Sequence, residues 1–342
     1  MVSLSLSPSS ADEEGIRPVN LRTDLAAIAD LIELVFADSM DNSGRAAIRE
    51  MRSLSRLGPG LGVLMGIGDL QHNMGYVYVA DGRLVGNVSI YPAPLPAGVL
   101  RGERAWIIAN VGVHPDYRGR GIARRLMETS LNALSQWAKG RRAVALLQVE
   151  RDNLPARRLY DSLNFLNERA WTTWRRSTSP RIPPPLIASP YITHRRRGEW
   201  RAEYALAQRV RPAIWGGIGW MRPLHPNLFR TSWRGWLNHF ISLRSVERLI
   251  IRDDTDQAHP AVLAALWIES AFASSAQLTL MVDPAHAEWY DEALINLAVR
   301  RFGQRETLVI EHPADDSAAE SVFSRYGFLP QRTLVHMSWK VS

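Results

Sequence analysis

Residues 113–126 read VHPDYRGRGIARRL. The stretch closes a run of strand formers and opens a run with helical spacing, so it is a strand–loop–helix junction. Its residue types suit one physical task. A helix N-terminus presents unpaired backbone N–H groups and the positive end of the helix dipole, which favours a phosphate. Gly119 and Gly121 let the backbone approach an anion with no Cβ in the way. Arg118 and Arg120 add fixed positive charge for phosphate oxygens. Ala123 is small, so the first helical turn can lie close to a ligand. The loop is not a P-loop, because no Gly-Lys-Ser/Thr follows. Nor is it the dinucleotide fingerprint, because the glycine spacing fails.

Working outward, RAWIIANVGVHP (104–115) reads as a long strand that Pro115 stops, and 121–140 as a helix that Gly140 ends. Upstream, GYVYVADGRLVGNVSIYP (75–92) reads as a hairpin turning on Asp81-Gly82. The run 23–38 is an amphipathic helix with Thr23 as N-cap, and 44–54 a second helix. Downstream come a buried strand (142–150), a helix (153–165) and a strand (168–177). STSPRIPPPLIASP (177–190) then breaks the pattern, since proline this dense cannot hold a helix and stiffens a connector.

Beyond it the order repeats: strand 276–284, helix 287–303, strand 306–311, helix 317–328 and a last strand. Pro284 lies 169 residues after Pro115, and Phe328 lies 163 after Phe165. So regular a spacing argues for an internal duplication. The expected organisation is a flexible tail (1–14), a first domain (15–178), a linker (179–190) and a second domain (191–342). The fold class is α/β, mixed α+β, with each domain a mixed twisted sheet flanked by helices.

Composition removes whole classes of function. Cysteine is absent, which excludes disulfides, thiol nucleophiles and thiolate metal sites. No apolar run is long enough for a spanning helix, and the N-terminus lacks the pattern of a signal peptide, so a cytoplasmic protein without a membrane partner is expected. The net charge of +7 comes almost wholly from arginine; only Lys139 and Lys340 are lysines. The arginines are scattered and carry no nucleic-acid motif, so a small polyanion is favoured over nucleic acid as partner.

Arg118-x-x-Gly121-x-Ala123 resembles the acyl-CoA pyrophosphate signature of the GNAT superfamily of N-acyltransferases. Val111 to Pro115 looks like that family's fourth strand. LQVERDNLPARRLYDSLNF (147–165) is similar to its second motif, with Asn153, Ala156, Leu159, Tyr160 and Phe165 in register. One departure is Asn164, where the family usually has glycine; asparagine tolerates the same left-handed helix end.

The resemblance implies a sheet whose fourth and fifth strands splay apart. Acetyl-CoA or another short acyl-CoA would be co-substrate, with no metal. Pantetheine would pair with Val111 and Val113, and the pyrophosphate would sit on Arg118, Gly119, Arg120, Gly121, Ile122 and Ala123. Asn153 would contact the pantetheine arm, and Tyr160 would protonate the leaving thiolate. Some relatives carry a glutamate base early on the fourth strand, where Ala105 stands here. Others, similar to ribosomal-protein alanine acetyltransferases, carry one on the fifth, where Gln148 stands. Glu103, Glu150 and His114 are the candidates left. Glu103 is taken first, because it lies two residues before Ala105 on the same strand face.

In the second half, AHAEWYDEAL replaces DYRGRGIARRL after Val282-Asp283-Pro284. Both glycines and both arginines are gone, and Phe323 stands for Tyr160 and Asp316 for Asn153. This half is expected to bind no acyl-CoA and to shape the acceptor pocket; Trp215, Trp220, Trp233 and Trp236, within 214–240, are candidates for a pocket wall or interface. Each half also offers one strand after its last helix where the family usually shows two, so a strand exchanged between domains or subunits would fill the gap. The arrangement is similar to that of mycothiol synthase. The expected acceptor is a small-molecule or peptide amine, and the protein a monomer or homodimer. A non-catalytic acyl-CoA sensor would keep the same loop and is the alternative.

Overall fold

The computed structural model describes residues 14–341 except 22, 38–39, 41, 57–73, 94–103, 212–216, 223, 231–243, 254–260 and 272–273. The tail 1–13, Glu103 and three of the four tryptophans in 214–240 therefore lie outside the described residues.

The first half runs β1 (Gly15–Pro18), α1 (Leu25–Val35), α2 (Asn42–Arg56), β2 (Gly75–Ala80), β3 (Arg83–Pro92), β4 (Arg104–Val113), α3 (Ile122–Ala138), β5 (Ala143–Glu150), α4 (Leu154–Ser162) and β6 (Leu166–Arg176). Residues 177–191 carry neither helix nor strand. The second half follows with β7 (Ile192–His194), α5 (Trp200–Val210), β8 (Arg244–Arg252), β9 (Val262–Ala271), β10 (Ala276–Val282), α6 (Trp289–Phe302), β11 (Leu308–Pro313), α7 (Ser317–Arg325) and β12 (Leu329–Val341).

Local chemistry explains most of these boundaries. Asp81 and Gly82 both take positive φ (50° and 66°), as a tight two-residue hairpin turn requires. Lys139 and Gly140 are left-handed at the end of α3. Asn164 (φ 63°) and Gly327 (φ 77°) hold the same place after α4 and α7. There the N–H groups of Phe165 and Phe328 return to the carbonyls of Tyr160 and Phe323. One boundary differs from expectation: α1 starts after Asp24, not at Thr23. The Asp24 carboxylate accepts from Arg17 at 2.6 and 2.9 Å and from the Asn20 N–H at 2.7 Å, and Thr23 only donates to it. A buried ion pair, not a cap, fixes this entry.

The halves do not form two sheets. One twelve-stranded sheet runs β1-β2-β3-β4-β5-β12-β6-β11-β10-β9-β8-β7. The last strand of the chain inserts beside β5, and the last strand of the first half inserts beside β11, all antiparallel. This is the exchange that the missing strand implied, made between the halves. Val335 and Met337 of β12 accordingly complete the core under α3 and α4. Trp174 of β6 completes the core under α6 and α7. Each half thus buries apolar side chains that belong to the other's sequence.

Candidate functional site

The strands β4 and β5 run parallel and pair only from Arg104↔Ala143 to Ile107↔Leu146. Beyond that point they separate, leaving an open notch between 108–113 and 147–150. A bulge in β4 causes the divergence. Asn110 takes φ 52°, and the β3–β4 register shifts between Asn87 and Ser89. Asn87 Nδ2 donates to the Asn110 carbonyl at 2.9 Å and reaches Ser89 Oγ at 3.2 Å, so the bulge is held from within the core.

At the end of β4 a single turn, Pro115–Tyr117, leads into the glycine–arginine loop. Gly119 and Gly121 have φ of 77° and 74°, so their glycine identity serves the backbone conformation. The first intrahelical bond of α3 runs from the Arg125 N–H to the Gly121 carbonyl. The N–H groups of 119–124 donate to no described residue. No acidic residue lies in the first turn of α3. Arg118 Nε donates to the Val113 carbonyl at 3.2 Å, and Arg120 lies over the Tyr117 ring and donates to the Asp116 carbonyl. Both arginines are exposed. Gly86 sets the height of the helix: a Cβ there would stand 3.0 Å from Ile122 and Leu126 side chains.

Of the residues singled out in the sequence, Val111, Val113 and Arg118 through Ala123 all gather at this mouth. Asn153 is the N-cap of α4, its Oδ1 accepting from the Ala156 N–H at 3.2 Å, which leaves its amide N–H₂ outside the cap. Tyr160, on the inner face of α4, is buried against Phe165 and makes no side-chain hydrogen bond to a described residue. Burial pushes its phenol well above the ordinary range, so it stays protonated. His114 Nδ1 accepts from the Asp116 N–H, capping the turn at 115–117. Glu150 ends β5, half-buried.

The matching place in the second half is built differently. The strands β10 and β11 also pair briefly, from Ala276↔Leu308 to Leu278↔Ile310, and then separate. Arg211 fills that notch. Its Nη2 donates to the Leu280 carbonyl at 3.0 Å and lies 3.4 Å from the His312 ring nitrogens. Leu280 stands two residues before Val282, as Val111 stands before Val113. His312 Nε2 lies 3.0 Å from Asp316 Oδ2, so the ring donates there and offers Nδ1 to Arg211. Burial draws Arg211 down to about 10 and His312 to about 4. Asp316 falls to about 2 against the upward push of burial, because His312 donates to it. At the start of α6, buried Asp291 accepts from the Glu288 N–H at 2.7 Å. Burial raises its carboxyl to about 6.

Residues 57–165 match the model of the acetyltransferase (GNAT) family. The chain carries a GNAT acetyltransferase domain. Outside that domain the likeness is one of fold. The whole chain is similar to a GCN5-related N-acetyltransferase from Sphaerobacter thermophilus, at 16% identity over 95% of both chains and a TM-score of 0.54. It is also similar to a tandem GNAT protein from the clavulanic acid biosynthesis pathway, at 15% identity over 96% of this chain and 99% of that one, TM-score 0.51. No curated protein sequence matched. Both halves thus have a GNAT-like fold, and the second reached it without the loop chemistry. Among the described residues no helix is long and apolar enough to cross a membrane.

Sequence reasoning did not find Arg211. A lone arginine after a helix reads as a solvated side chain, and only the topology shows it inside a notch.

Proposed function

We propose that the first half, residues 15–178, is an acyl-CoA-dependent N-acyltransferase that moves an acetyl or short acyl group to a primary amine by direct attack. The observation that carries this reading is the open junction at α3. Unpaired N–H groups, two left-handed glycines and two exposed arginines meet beside the β4–β5 notch. Such a mouth suits a pyrophosphate, and the notch suits an extended arm with peptide-like groups. Residues 118–123 hold the pyrophosphate, Val111 and Val113 offer strand-edge backbone to pantetheine, and the free amide of Asn153 meets the same arm. The thioester supplies the acyl group. Tyr160 keeps its proton until a thiolate develops beside it, then gives it up. Linker 179–190 and the second half, 191–342, complete the architecture, and the second half binds no acyl-CoA, its notch being filled by Arg211 and its helix start by Asp291. We place the enzyme in the cytoplasm.

The test is calorimetric titration with acetyl-CoA together with thiol release in the presence of primary amines. One equivalent of acetyl-CoA per chain is expected. Tyr160→Phe should lose about 10²–10⁴-fold in turnover while keeping acetyl-CoA affinity. Two equivalents bound would overturn the assignment of the second half. A Tyr160→Phe chain as active as wild type would remove Tyr160 as the acid, and acetyl-CoA binding without turnover would favour a sensor.

A further inference from the structure

A side-chain cluster on the sheet face opposite α3 belongs to neither half alone. Leu147 and Val149 lie in the core under that helix, so Gln148 points to the other face. It is the first residue on that face beyond the last β4–β5 pair. His336 of β12 stands opposite it in register, with Nε2 2.8 Å from the Gln148 amide nitrogen. Glu311 of β11 brings Oε1 to 3.9 Å from the same Nε2. Trp220 sets its ring against His336, at 4.8 Å between centroids, and its backbone N–H donates to Glu311. Trp171 of β6 stacks on His336 at 5.9 Å.

The imidazole is sealed by these neighbours, and its Nδ1 has no partner among the described residues. Glu311 differs. Crowding by protein pushes its carboxyl above the usual range, yet 36% of its side chain stays exposed. A carboxylate both crowded and reachable suits a site that handles a proton. It also sits at a place equivalent to Gln148, each five residues before the residue that caps the following helix, Asn153 or Asp316.

We infer that Glu311, supplied by the second half, is the acid–base residue of the acceptor site, receiving the ammonium group of a primary amine beside Gln148 and taking a proton from it. The inference rests on the acyl-transfer reading above. The pyrophosphate loop lies at the start of α3, and an acyl arm entering the notch from there ends where β4 and β5 meet, next to Gln148. Glu311 lies on the same face as Gln148, within reach of an amine arriving there. His336 is a positioning residue that holds the Gln148 amide.

The protons and bonds balance. Glu311 carboxylate takes one proton from R–NH₃⁺. The amine nitrogen attacks the thioester carbonyl carbon, forming C–N. The C–S bond breaks, and the thiolate takes the Tyr160 proton. The nitrogen's surplus proton returns to Tyr160 through water, and Glu311 releases its own to solvent. Besides His336, the charged groups facing Glu311 are Arg332 of β12 and Arg222, the latter paired to Glu269 at 2.7 Å. These two arginines partly offset the upward push of burial on the carboxyl.

The test takes the full chain, acetyl-CoA and three primary amines: a polyamine, an amino sugar and a peptide with a free N-terminus. With the fastest of them, Glu311→Gln should lower kcat/KM at pH 7 by about 10²–10⁴-fold and leave acetyl-CoA affinity unchanged. The deficit should shrink as pH rises toward the amine's own pKa, where free amine needs no base. Glu311→Asp should recover part of the rate. Wild-type kcat/KM and pH profile in Glu311→Gln would overturn the inference and leave the acyl-transfer reading standing. So would a rate loss independent of pH that Glu311→Asp does not relieve, which is the mark of a structural role. Failure of wild type to release thiol with all three amines would overturn both.

Discussion

At the first strand–helix junction the N–H groups of 119–124 donate to no described residue, and Arg118 and Arg120 stand beside them in solvent. At the second, Asp291 folds back onto the Glu288 N–H, and Arg211 occupies the gap between β10 and β11. The same backbone frame therefore carries opposite electrostatics. A helix start and a splayed strand pair leave backbone donors and acceptors that something must satisfy. In the first half no described residue satisfies the N–H groups of 119–124, and the proposed ligand would. The second supplies a carboxylate and a guanidinium from its own sequence, so its stability does not depend on a bound molecule.

The comparison also shows that the halves are unequal in chemistry but mutually dependent in structure. Because β12 lies between β5 and β6, the first half's notch wall is backed by the last strand of the chain. Truncation after residue 328 should therefore abolish acetyl-CoA binding, although no proposed binding residue is removed. Scanning calorimetry of the full chain should show one transition for both halves. Two separated transitions, or a truncated chain that binds acetyl-CoA normally, would break the idea that the exchange couples them.

Next in size is the arginine plug. Arg211→Ala leaves the Leu280 carbonyl and the neutral His312 ring without their buried donor, and should cost about 1–3 kcal/mol in urea unfolding. A cost under about 1 kcal/mol would show that water enters the notch freely and that the arginine is not what satisfies it.

The legible part of this molecule was local. The glycine–arginine loop, the Asp81-Gly82 turn and the Asn164 helix end each follow from two or three neighbouring residues whose conformational demands are known. The duplication was legible because Pro115 and Pro284, and Phe165 and Phe328, keep nearly the same spacing. The strand exchange showed only as a deficit, one strand too few in each half. What it creates was not legible. The meeting of Gln148, His336 and Glu311 spans separations of 188 and 25 residues and depends on which strand inserts where. The turn-capping bond of His114 to the Asp116 N–H was likewise invisible in a one-letter string.

A third prediction uses the carboxylate that closes the second junction. Asp291 has a folded-state value near 6, raised by burial, against an ordinary value near 4. A carboxyl raised in the fold binds its proton more tightly in the native state, so stability is lost as pH rises from about 4 through 6. Asp291→Asn removes that loss while keeping an oxygen for the Glu288 N–H. The variant should be more stable than wild type at pH 8 by about 2–3 kcal/mol and gain little at pH 4. A difference between the two chains that does not change with pH would mean that the ionised carboxylate is not the source of the cost.

The smallest effects form a mirrored pair at the helix starts. Gly121 takes φ 74°, ψ 7°, which glycine adopts without a Cβ penalty. Its counterpart Glu288 takes φ 65°, ψ −54°, and the Trp289 N–H bonds the Ala287 carbonyl at 2.8 Å across it. That is a γ-turn of the rare, strained hand, borne by a residue with a full side chain. Gly121→Ala should destabilise the chain by about 1 kcal/mol and weaken acetyl-CoA binding further by tilting the exposed N–H groups. Glu288→Gly should shift stability the other way by a similar amount, less whatever its exposed ion pair with Arg325 contributes. Melting both variants beside wild type gives the signs directly. Shifts of the same sign would show that the second junction is not a strained version of the first but a turn with its own preferred geometry.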